Sequence, residues 1–237
     1  MNGSGGVPEK PSVLGVIASC SALNPLSDDE RDRLADSCFL AYAERGEPVW
    51  LAGAPIQFAA VVGTGFVKMT RSTPQGNEVA VELLGPGQCL GLMAVLEGRN
   101  YPLNAVAVTD CWYLKVPSRA FLDLYQSNPL LRDTMFRSLA PRLRRAHEMM
   151  ARMSSDKVDQ RIAAVLLLLM DSYGRESDDG LTLSVPLTRQ DLSEMAGTTV
   201  ESAIRVMSRW QKDGSVTTDR QWITVREPAV LESLLSD

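Results

Sequence analysis

The stretch Leu187–Gly214, LTRQDLSEMAGTTVESAIRVMSRWQKDG, has apolar residues at helical spacing on both sides of Gly197. A threonine followed three residues later by a carboxylate is typical of a capped helix start. Two such pairs occur here, Thr188 with Asp191 and Thr198 with Glu201. We therefore predict two short helices, capped independently and separated by one glycine.

The apolar residues of this stretch form the inward faces of the two helices: Leu192, Ala196, Ala203, Val206, Met207 and Trp210. Two helices joined this tightly at a steep angle make a helix-turn-helix, whose second helix enters the DNA major groove. Val200, Glu201 and Arg205 then lie near its N-terminus, where glutamate can accept from cytosine and arginine can donate twice to guanine. The alternative is an ordinary Glu201–Arg205 surface salt bridge.

The segment after Gly214, SVTTDRQWITV, has two β-rich arms around a polar turn and predicts a hairpin wing. The net charge of −5 gives no overall attraction to nucleic acid, so DNA binding needs a local basic cluster. The C-terminal region contains such a basic cluster, and neighbouring carboxylates reduce its positive charge. Its members are Arg189, Arg209, Lys212 and Arg220, against Asp191, Glu194 and Asp213.

The composition, 237 residues with 45% apolar, favours two modest cores over one large one. The four cysteines form no CxxC pair and no secretory signal opens the chain, which favours a cytoplasmic protein with reduced thiols. The longest apolar run, IAAVLLLLM at 162–170, is shorter than a membrane span and predicts a buried helix. We therefore expect no membrane partner.

The local amino-acid composition changes along the chain. The opening MNGSGGVPEKPS, residues 1–12, predicts a flexible tail, and Ser27 is placed to cap a following helix. From about residue 39 to 117, short apolar runs separated by glycine and proline predict an all-β sandwich or barrel. The segment RESDDG, residues 175–180, predicts a solvated linker before the smaller C-terminal domain.

A long helix is predicted over residues 128–155, where Asn128-Pro129 is a helix start and Pro141 should introduce a kink. Apolar residues recur there at alternating steps of three and four, as in a two-helix seam. The seam consists of Phe136, Leu139, Leu143, Ala146, Met150 and Met153. It predicts a dimer contact, and the alternative is packing against the helix's own domain.

With these motifs in order, the sequence resembles the CRP/FNR family of bacterial transcription regulators. ERGEPVWLAGAP, GTGFVKM and LLGPGQCLG are similar to the family's β-roll turns. The resemblance implies an α+β fold with a β-roll of the cyclic-nucleotide-binding type, a dimerisation helix and a winged helix-turn-helix. It assigns residues 1–12 to a tail, 13–127 to the sensory roll with flanking helices, 128–155 to the dimerisation helix and 156–237 to the DNA-binding domain.

The family acts as a homodimer on two-fold operators together with RNA polymerase. The resemblance places Arg189 and Gln190 at phosphate contacts and matches Val200, Glu201 and Arg205 to the VExxxR pattern of the FNR type. Ile204 stands where that type often has serine, so a TTGA-related half-site is expected with one base unassigned. The predicted DNA contacts are Arg189, Gln190, Thr199, Val200, Glu201, Ser202, Arg205 and Arg220.

The stretch corresponding to the family's cyclic-nucleotide cassette lacks its polar groups. Leu92 follows Gly91 in place of glutamate, and Pro102-Leu103 replaces the phosphate-binding Arg-Ser pair. Burying an unpaired phosphate there is unfavourable, which argues against cAMP. The expected effector pocket is apolar and consists of Gly91, Leu92, Met93, Leu103, Ala146 and His147. An apolar ligand, haem bound through His147, or no ligand at all remain the alternatives.

The cysteine spacing argues against an iron-sulfur cluster, because Cys20 and Cys38 are separated by a helix. We expect all four thiols to be small buried residues, with a thiol switch as an alternative. A single histidine, no clustered metal ligands and no glycine-rich phosphate loop argue against an enzyme. The remaining alternative class is a sensory or scaffold protein that acts only through protein contacts.

Overall fold

The structure is a computed structural model that describes residues 8–74 and 76–235. The chain forms two compact units. The first comprises residues up to 71 and 82–144, and the second comprises residues 72–81 and those from 145 onward. Each unit has its own hydrophobic core and is described separately below.

The predicted N-terminal tail is packed where the structure describes it. Residues 1–7 lie outside the described residues. Trp112 Nε1 donates a hydrogen bond to the Pro8 carbonyl at 2.9 Å, and Lys10 Nζ lies 5.4 Å from the centre of the Trp112 indole. Residues 8–12 therefore differ from the predicted flexible tail, because their backbone satisfies an indole N–H distant in sequence.

Two helices precede the sheets of the first unit. Helix α1 is Val13–Ser19, a 3₁₀ turn follows at Ser21–Leu23, and α2 is Asp28–Ser37. The predicted cap at Ser27 is confirmed: its hydroxyl accepts from the Glu30 N–H, and the Glu30 carboxylate accepts from the Ser27 N–H at 2.9 Å. These contacts satisfy two otherwise unpaired N–H groups at the helix start.

The β-roll predicted between residues 39 and 117 is confirmed as two four-stranded sheets, with strand orders β1-β8-β3-β6 and β2-β7-β4-β5. The strands are β1 Phe39–Ala43, β2 Pro48–Trp50, β3 Phe58–Thr64, β4 Val67–Ser72, β5 Glu78–Leu84, β6 Cys89–Leu90, β7 Asn104–Ala107 and β8 Cys111–Pro117. In β3, Ala59 and Val61 face the core beneath α1, whereas Ala60 and Val62 face the core between the sheets. Alternation along one strand thus supplies two buried faces.

The expectation that this region is entirely β is wrong at one place. Helix α3, Leu92–Glu97, has Gly91 as its N-cap and Gly98 as its C-cap, and both glycines have positive φ. The short apolar run was compatible with either a buried strand or a helix, and periodicity over six residues does not separate the two.

Two further helices complete this part of the chain. Helix α4 is Ser118–Ser127, and the long helix α5 is Pro129–Ser155. Asn128 Oδ1 accepts from the Leu131 N–H at 3.0 Å, which explains why α5 starts there. The helix is continuous through Pro141.

The second unit consists of helices around a four-stranded sheet of order β11-β12-β10-β9. Its elements are α6 Val158–Tyr173, β9 Gly174–Ser177, β10 Gly180–Leu183, α7 Arg189–Met195, α8 Val200–Asp213, β11 Val216–Asp219, β12 Trp222–Val225 and α9 Pro228–Ser233. The apolar run predicted to be a buried helix lies in α6, where Ile162 and Leu166 are fully buried. Among the described residues, no helix has the length and apolarity needed to cross a membrane.

The predicted linker RESDDG is instead a hairpin. Residues 174–177 form β9, which pairs antiparallel with β10. Ser177 Oγ donates to the Gly180 carbonyl at 2.8 Å, and Gly180 has a φ of 124° that closes the turn. The side chains are polar because β9 is an edge strand whose surface faces solvent, so composition alone resembled a linker.

Candidate nucleic-acid interface and sensor site

The start of α7 is fixed by the predicted capping box at Thr188. Thr188 Oγ1 accepts from the Asp191 N–H at 3.0 Å, and Asp191 Oδ2 accepts from the Thr188 N–H at 2.9 Å. Both donors would be unpaired in an uncapped helix. The prediction of a capped first helix is confirmed.

The start of α8 lies one residue later than predicted. Thr199, and not Thr198, is the N-cap, and its Oγ1 accepts from the Ser202 N–H at 3.2 Å. The Thr198 N–H instead donates to the Ser193 carbonyl at 2.9 Å, which closes the turn between the helices. Thr199 and Ser202, both predicted DNA contacts, thus also position the helix start.

The turn itself depends on Gly197, whose φ is 57°. A Cβ at this position would lie 3.3 Å from Met153 Cε at the end of α5. Met153 is therefore half-buried against the helix-turn-helix, unlike the exposed members of the predicted seam. Its assignment to the dimer seam stays a prediction.

The predicted inward faces of the two helices are confirmed. Leu192, Ala196, Ala203 and Met207 are fully buried, and Val206 and Trp210 are buried almost completely. These side chains fix the angle between α7 and α8 by packing. The opposite face of α8 is therefore free to contact another molecule.

The exposed face of α8 carries Glu201, Ile204 and Arg205. Within the described part of the chain, no ion pair joins Glu201 to Arg205, although they are four residues apart. A backbone N–H at the helix start and the Thr199 hydroxyl lower the pKa of Glu201. The surface salt bridge considered from the sequence is thus absent, and both side chains are available to a ligand.

Arg189 and Gln190 have partners within the second unit. Arg189 is half-buried and donates from Nη2 to Thr218 Oγ1 at 3.1 Å, and burial lowers its pKa. Gln190 Nε2 donates to Glu194 Oε1 at 2.8 Å. Arg189 therefore connects α7 to the hairpin β11–β12 in addition to any phosphate contact.

The local basic cluster is smaller than the sequence suggested. Arg209 Nη2 lies 3.0 Å from Asp159 Oδ2, so this arginine ties α8 to α6. Arg205, Lys212 and Arg220 are exposed. The positive charge of this surface thus comes chiefly from α8 and from the turn between β11 and β12.

The wing turn is strained in a way that presents Arg220 to solvent. Arg220 and Gln221 have φ values of 47° and 95°, and they alone connect β11 to β12. Two positive φ angles in a two-residue hairpin are typical of a type I′ turn, which usually has asparagine or glycine. The Gln221 carbonyl accepts from the Leu187 N–H at 3.0 Å, which connects the turn to the segment before α7.

The predicted effector residues do not share one environment: some lie in the interior of the first unit, and others are exposed. In the first unit, Gly91 and Leu103 line an interior already filled by aromatic rings: Trp50 and Tyr101 stack with centroids 4.2 Å apart. A Cβ at Gly91 would lie 3.1 Å from the Trp50 ring, and Trp50 Nε1 donates to the Leu103 carbonyl at 3.1 Å. Sequence reasoning missed this pair, because the two rings are distant in the chain.

The other predicted pocket residues are more exposed than expected. Leu92 is half-buried, and Met93 is 43% exposed on α3. Ala146 and His147 are exposed on α5. Met93, Ala146 and His147 are exposed in the single chain, and their assignment to an effector pocket stays a prediction.

The cysteines include one close pair. Cys20 Sγ and Cys89 Sγ are 2.8 Å apart, and both residues are buried. Burial raises the pKa of Cys38 to about 11 and that of Cys111 to about 12. The separation of 69 positions in the sequence explains why spacing gave no signal for the Cys20–Cys89 pair.

Comparison with known proteins agrees with this architecture. The family model "Cyclic nucleotide-binding domain" matches residues 41–128, and "Crp-like helix-turn-helix domain" matches residues 160–234. The "Cyclic AMP receptor protein" of Thermus thermophilus is 30% identical over 200 residues, covering 82% of this chain and 89% of the relative. The "Global nitrogen regulator" of Synechococcus elongatus is 26% identical over 195 residues, covering 81% and 88%.

Solved structures share the fold. FixK2 from Bradyrhizobium japonicum has a TM-score of 0.74 at 20% identity, covering 83% of this chain and 96% of that one. The roll followed by a long helix and a helix-turn-helix defines a DNA-binding transcription regulator, not an enzyme. The chain belongs to the CRP/FNR family.

The strain in the wing turn leads to a prediction of stability. Gln221→Gly should raise the free energy of unfolding by about 0.5–1 kcal/mol, because glycine adopts positive φ without a Cβ clash. Thr217→Gly, within β11, is the control and should lower it, since φ there is not positive. Urea denaturation followed by circular dichroism measures both variants. A lower free energy of unfolding for Gln221→Gly than for the wild type would contradict the interpretation that this turn is strained.

Proposed function

We propose that this regulator acts as a homodimer in the cytoplasm and binds a two-fold, TTGA-related operator in response to a signal other than cAMP. The observation that carries the proposal is the exposed face of α8, where Glu201 and Arg205 are unpaired with each other above a buried inner face. Such an arrangement fits a recognition helix in the major groove. Contact with RNA polymerase is part of the proposal and follows from family membership.

Dimerisation is supported by the apolar stripe along α5. Phe136, Leu143 and Met150 lie seven residues apart and are 77%, 57% and 67% exposed. Large apolar side chains repeated on one face of a helix are typical of an interface with a second helix. A second copy of the chain is the occupant that the seam spacing favours.

The proposed mechanism is positional. Two recognition helices must fit half-sites about one DNA turn, roughly 34 Å, apart. A signal received in the roll changes how the two α5 helices pack and thereby changes the spacing of the recognition helices. The side chains Trp50 and Tyr101 already fill the interior next to Gly91, which supports a signal other than a cyclic nucleotide.

Arg205 should provide sequence preference. Arg205→Ala should weaken binding to the operator by about 1–3 kcal/mol and relax preference at one base pair, because a bidentate contact to guanine is lost. Fluorescence anisotropy with operator and random duplexes at fixed salt measures both affinities. Arg175→Ala, which removes one exposed charge from β9, is the control and should leave the preference unchanged. Equal losses on both duplexes for Arg205→Ala would make it a phosphate contact.

Ile204 should contact the methyl group of a thymine. It is 47% exposed on the face of α8 that carries Arg205, and apolar side chains recognise the thymine methyl in the major groove. Replacing single operator thymines by deoxyuridine should weaken binding at one half-site position by about 0.8 kcal/mol, roughly fourfold.

For the Ile204→Ala variant, no single deoxyuridine replacement should weaken binding. For Ile204→Val, the replacement that weakens wild-type binding should still do so. The comparison separates loss of the methyl contact from a change in the DNA itself. A deoxyuridine scan identical for wild type and Ile204→Ala would rule out this contact.

A charged residue introduced into the seam tests the predicted dimer contact. Leu143→Glu should raise the dimer dissociation constant about a hundredfold or more, because each protomer would bury an unpaired carboxylate. Sedimentation velocity measures the association state. Ala151→Glu is the matched control, since it adds the same charge at an exposed position outside the seam. A Leu143→Glu variant that stays dimeric would show that the interface lies elsewhere.

A further inference from the structure

Two cysteines distant in sequence meet in the core of the first unit. Cys20 lies between α1 and the following 3₁₀ turn, and Cys89 begins β6. Their sulfur atoms are 2.8 Å apart. A disulfide bond is about 2.05 Å long, so the two sulfurs need to approach by less than about 1 Å to form one.

The backbone holds these two segments together. Gly87, two residues before Cys89, has a φ of 80°, and a Cβ there would lie 2.4 Å from the Ser19 carbonyl oxygen. The Gly87 N–H donates to the Val62 carbonyl at 2.8 Å, which fixes the loop to β3. Only glycine permits this approach, so the proximity of the thiols follows from the path of the main chain.

The environment distinguishes Cys20 from the other thiols. Its hydrogen bond with Cys89 lowers the pKa of Cys20 against the effect of burial, and the backbone at Leu23 and Ala22 contributes in the same direction. The same pairing and burial raise the pKa of Cys89. Since the thiolate is the nucleophile, this direction favours Cys20 as the member of the pair that reacts first.

We propose that Cys20 and Cys89 are a redox site, which hydrogen peroxide oxidises to an intrachain disulfide. The Cys20 thiolate attacks one peroxide oxygen, the O–O bond breaks, and the leaving oxygen takes a proton, giving a sulfenic acid and water. The Cys89 sulfur then attacks the Cys20 sulfur; its proton and the sulfenic hydroxyl leave together as a second water. Two thiols lose two electrons, and the peroxide gains them.

Access to this buried site comes through local opening. Helix α1 has only seven residues, and short helices are marginally stable without their packing. Transient release of α1 and the turn after it exposes Cys20 while the sheets stay folded. Oxidation should therefore be slower than that of an exposed thiol and limited by opening.

The site is connected to the long helix through Arg142. Arg142 Nη2 donates to the Cys89 carbonyl at 3.1 Å, and its Nε lies 3.2 Å from Glu82 Oε1. Arg142 precedes Leu143 of the seam. Disulfide formation moves the Cys89 backbone and thus alters the contact that holds this turn of α5, a consequence for DNA binding that rests on the proposed function.

The first test is chemical and uses the wild-type chain. After treatment with hydrogen peroxide and blocking of remaining thiols, peptide mass mapping should find Cys20 linked to Cys89, and dithiothreitol should reverse the link. The Cys38→Ser/Cys111→Ser double variant is the control and should form the same link. Oxidation of the cysteines separately, or a link between other cysteines, would overturn the redox site.

The second test measures the connection to DNA. Anisotropy with a TTGA-type duplex should give dissociation constants that differ about fivefold or more between reduced and oxidised protein. Arg142→Gln should form the disulfide and lose most of that difference. Equal constants for the two wild-type forms would overturn the coupling, and failure of the reduced protein to bind any operator would overturn the proposed function while the peptide map still decides the disulfide.

Discussion

The turn at Gly197 is the constraint on which the DNA-binding surface depends. Its positive φ turns the chain between α7 and α8, and a Cβ at this position would lie 3.3 Å from Met153 Cε of the long helix. The inner faces of both helices are buried as a result, and Glu201, Ile204 and Arg205 are left outside. One backbone conformation therefore decides which residues of α8 support the fold and which can contact bases.

The same separation of roles is visible along α5. Asn128 and Pro129 fix its start, and Arg142 and Met153 connect it to its surroundings in the first and second units, respectively. Its remaining apolar stripe is exposed in the single chain. In the proposed mechanism, a signal from the roll passes along α5, and a second copy packed on the apolar stripe makes that signal change the spacing of two recognition helices.

The parts of the fold that depend on local signals were predictable from the sequence. The capping box at Thr188, the buried periodicity of α7 and α8, and the short strands of the roll each follow from residues close together in the chain. The N-cap at Thr199 was missed because Thr198 and Thr199 are both suitable N-cap residues, and only the geometry of the turn decides between them. The strand β9 was missed because an exposed edge strand has the composition of a linker.

Contacts between distant segments could not be predicted in this way. The Trp50–Tyr101 stack and the Cys20–Cys89 pair depend on how strands and loops meet, and no spacing in one sequence encodes that. The exposure of His147 likewise depends on how α5 is packed. The sensor region was therefore harder to interpret from sequence than the DNA-binding region, whose chemistry lies on a single helix and its turn.

In the proposed complex, two copies of α8 recognise a symmetric DNA site. Selection of bound sequences from a random double-stranded library, with the reduced full chain, tests it most directly. We expect enrichment of a two-fold motif with TTGA-related half-sites whose centres lie about one helical turn apart. Enrichment of a single asymmetric element, or no enrichment over the starting library, would contradict it.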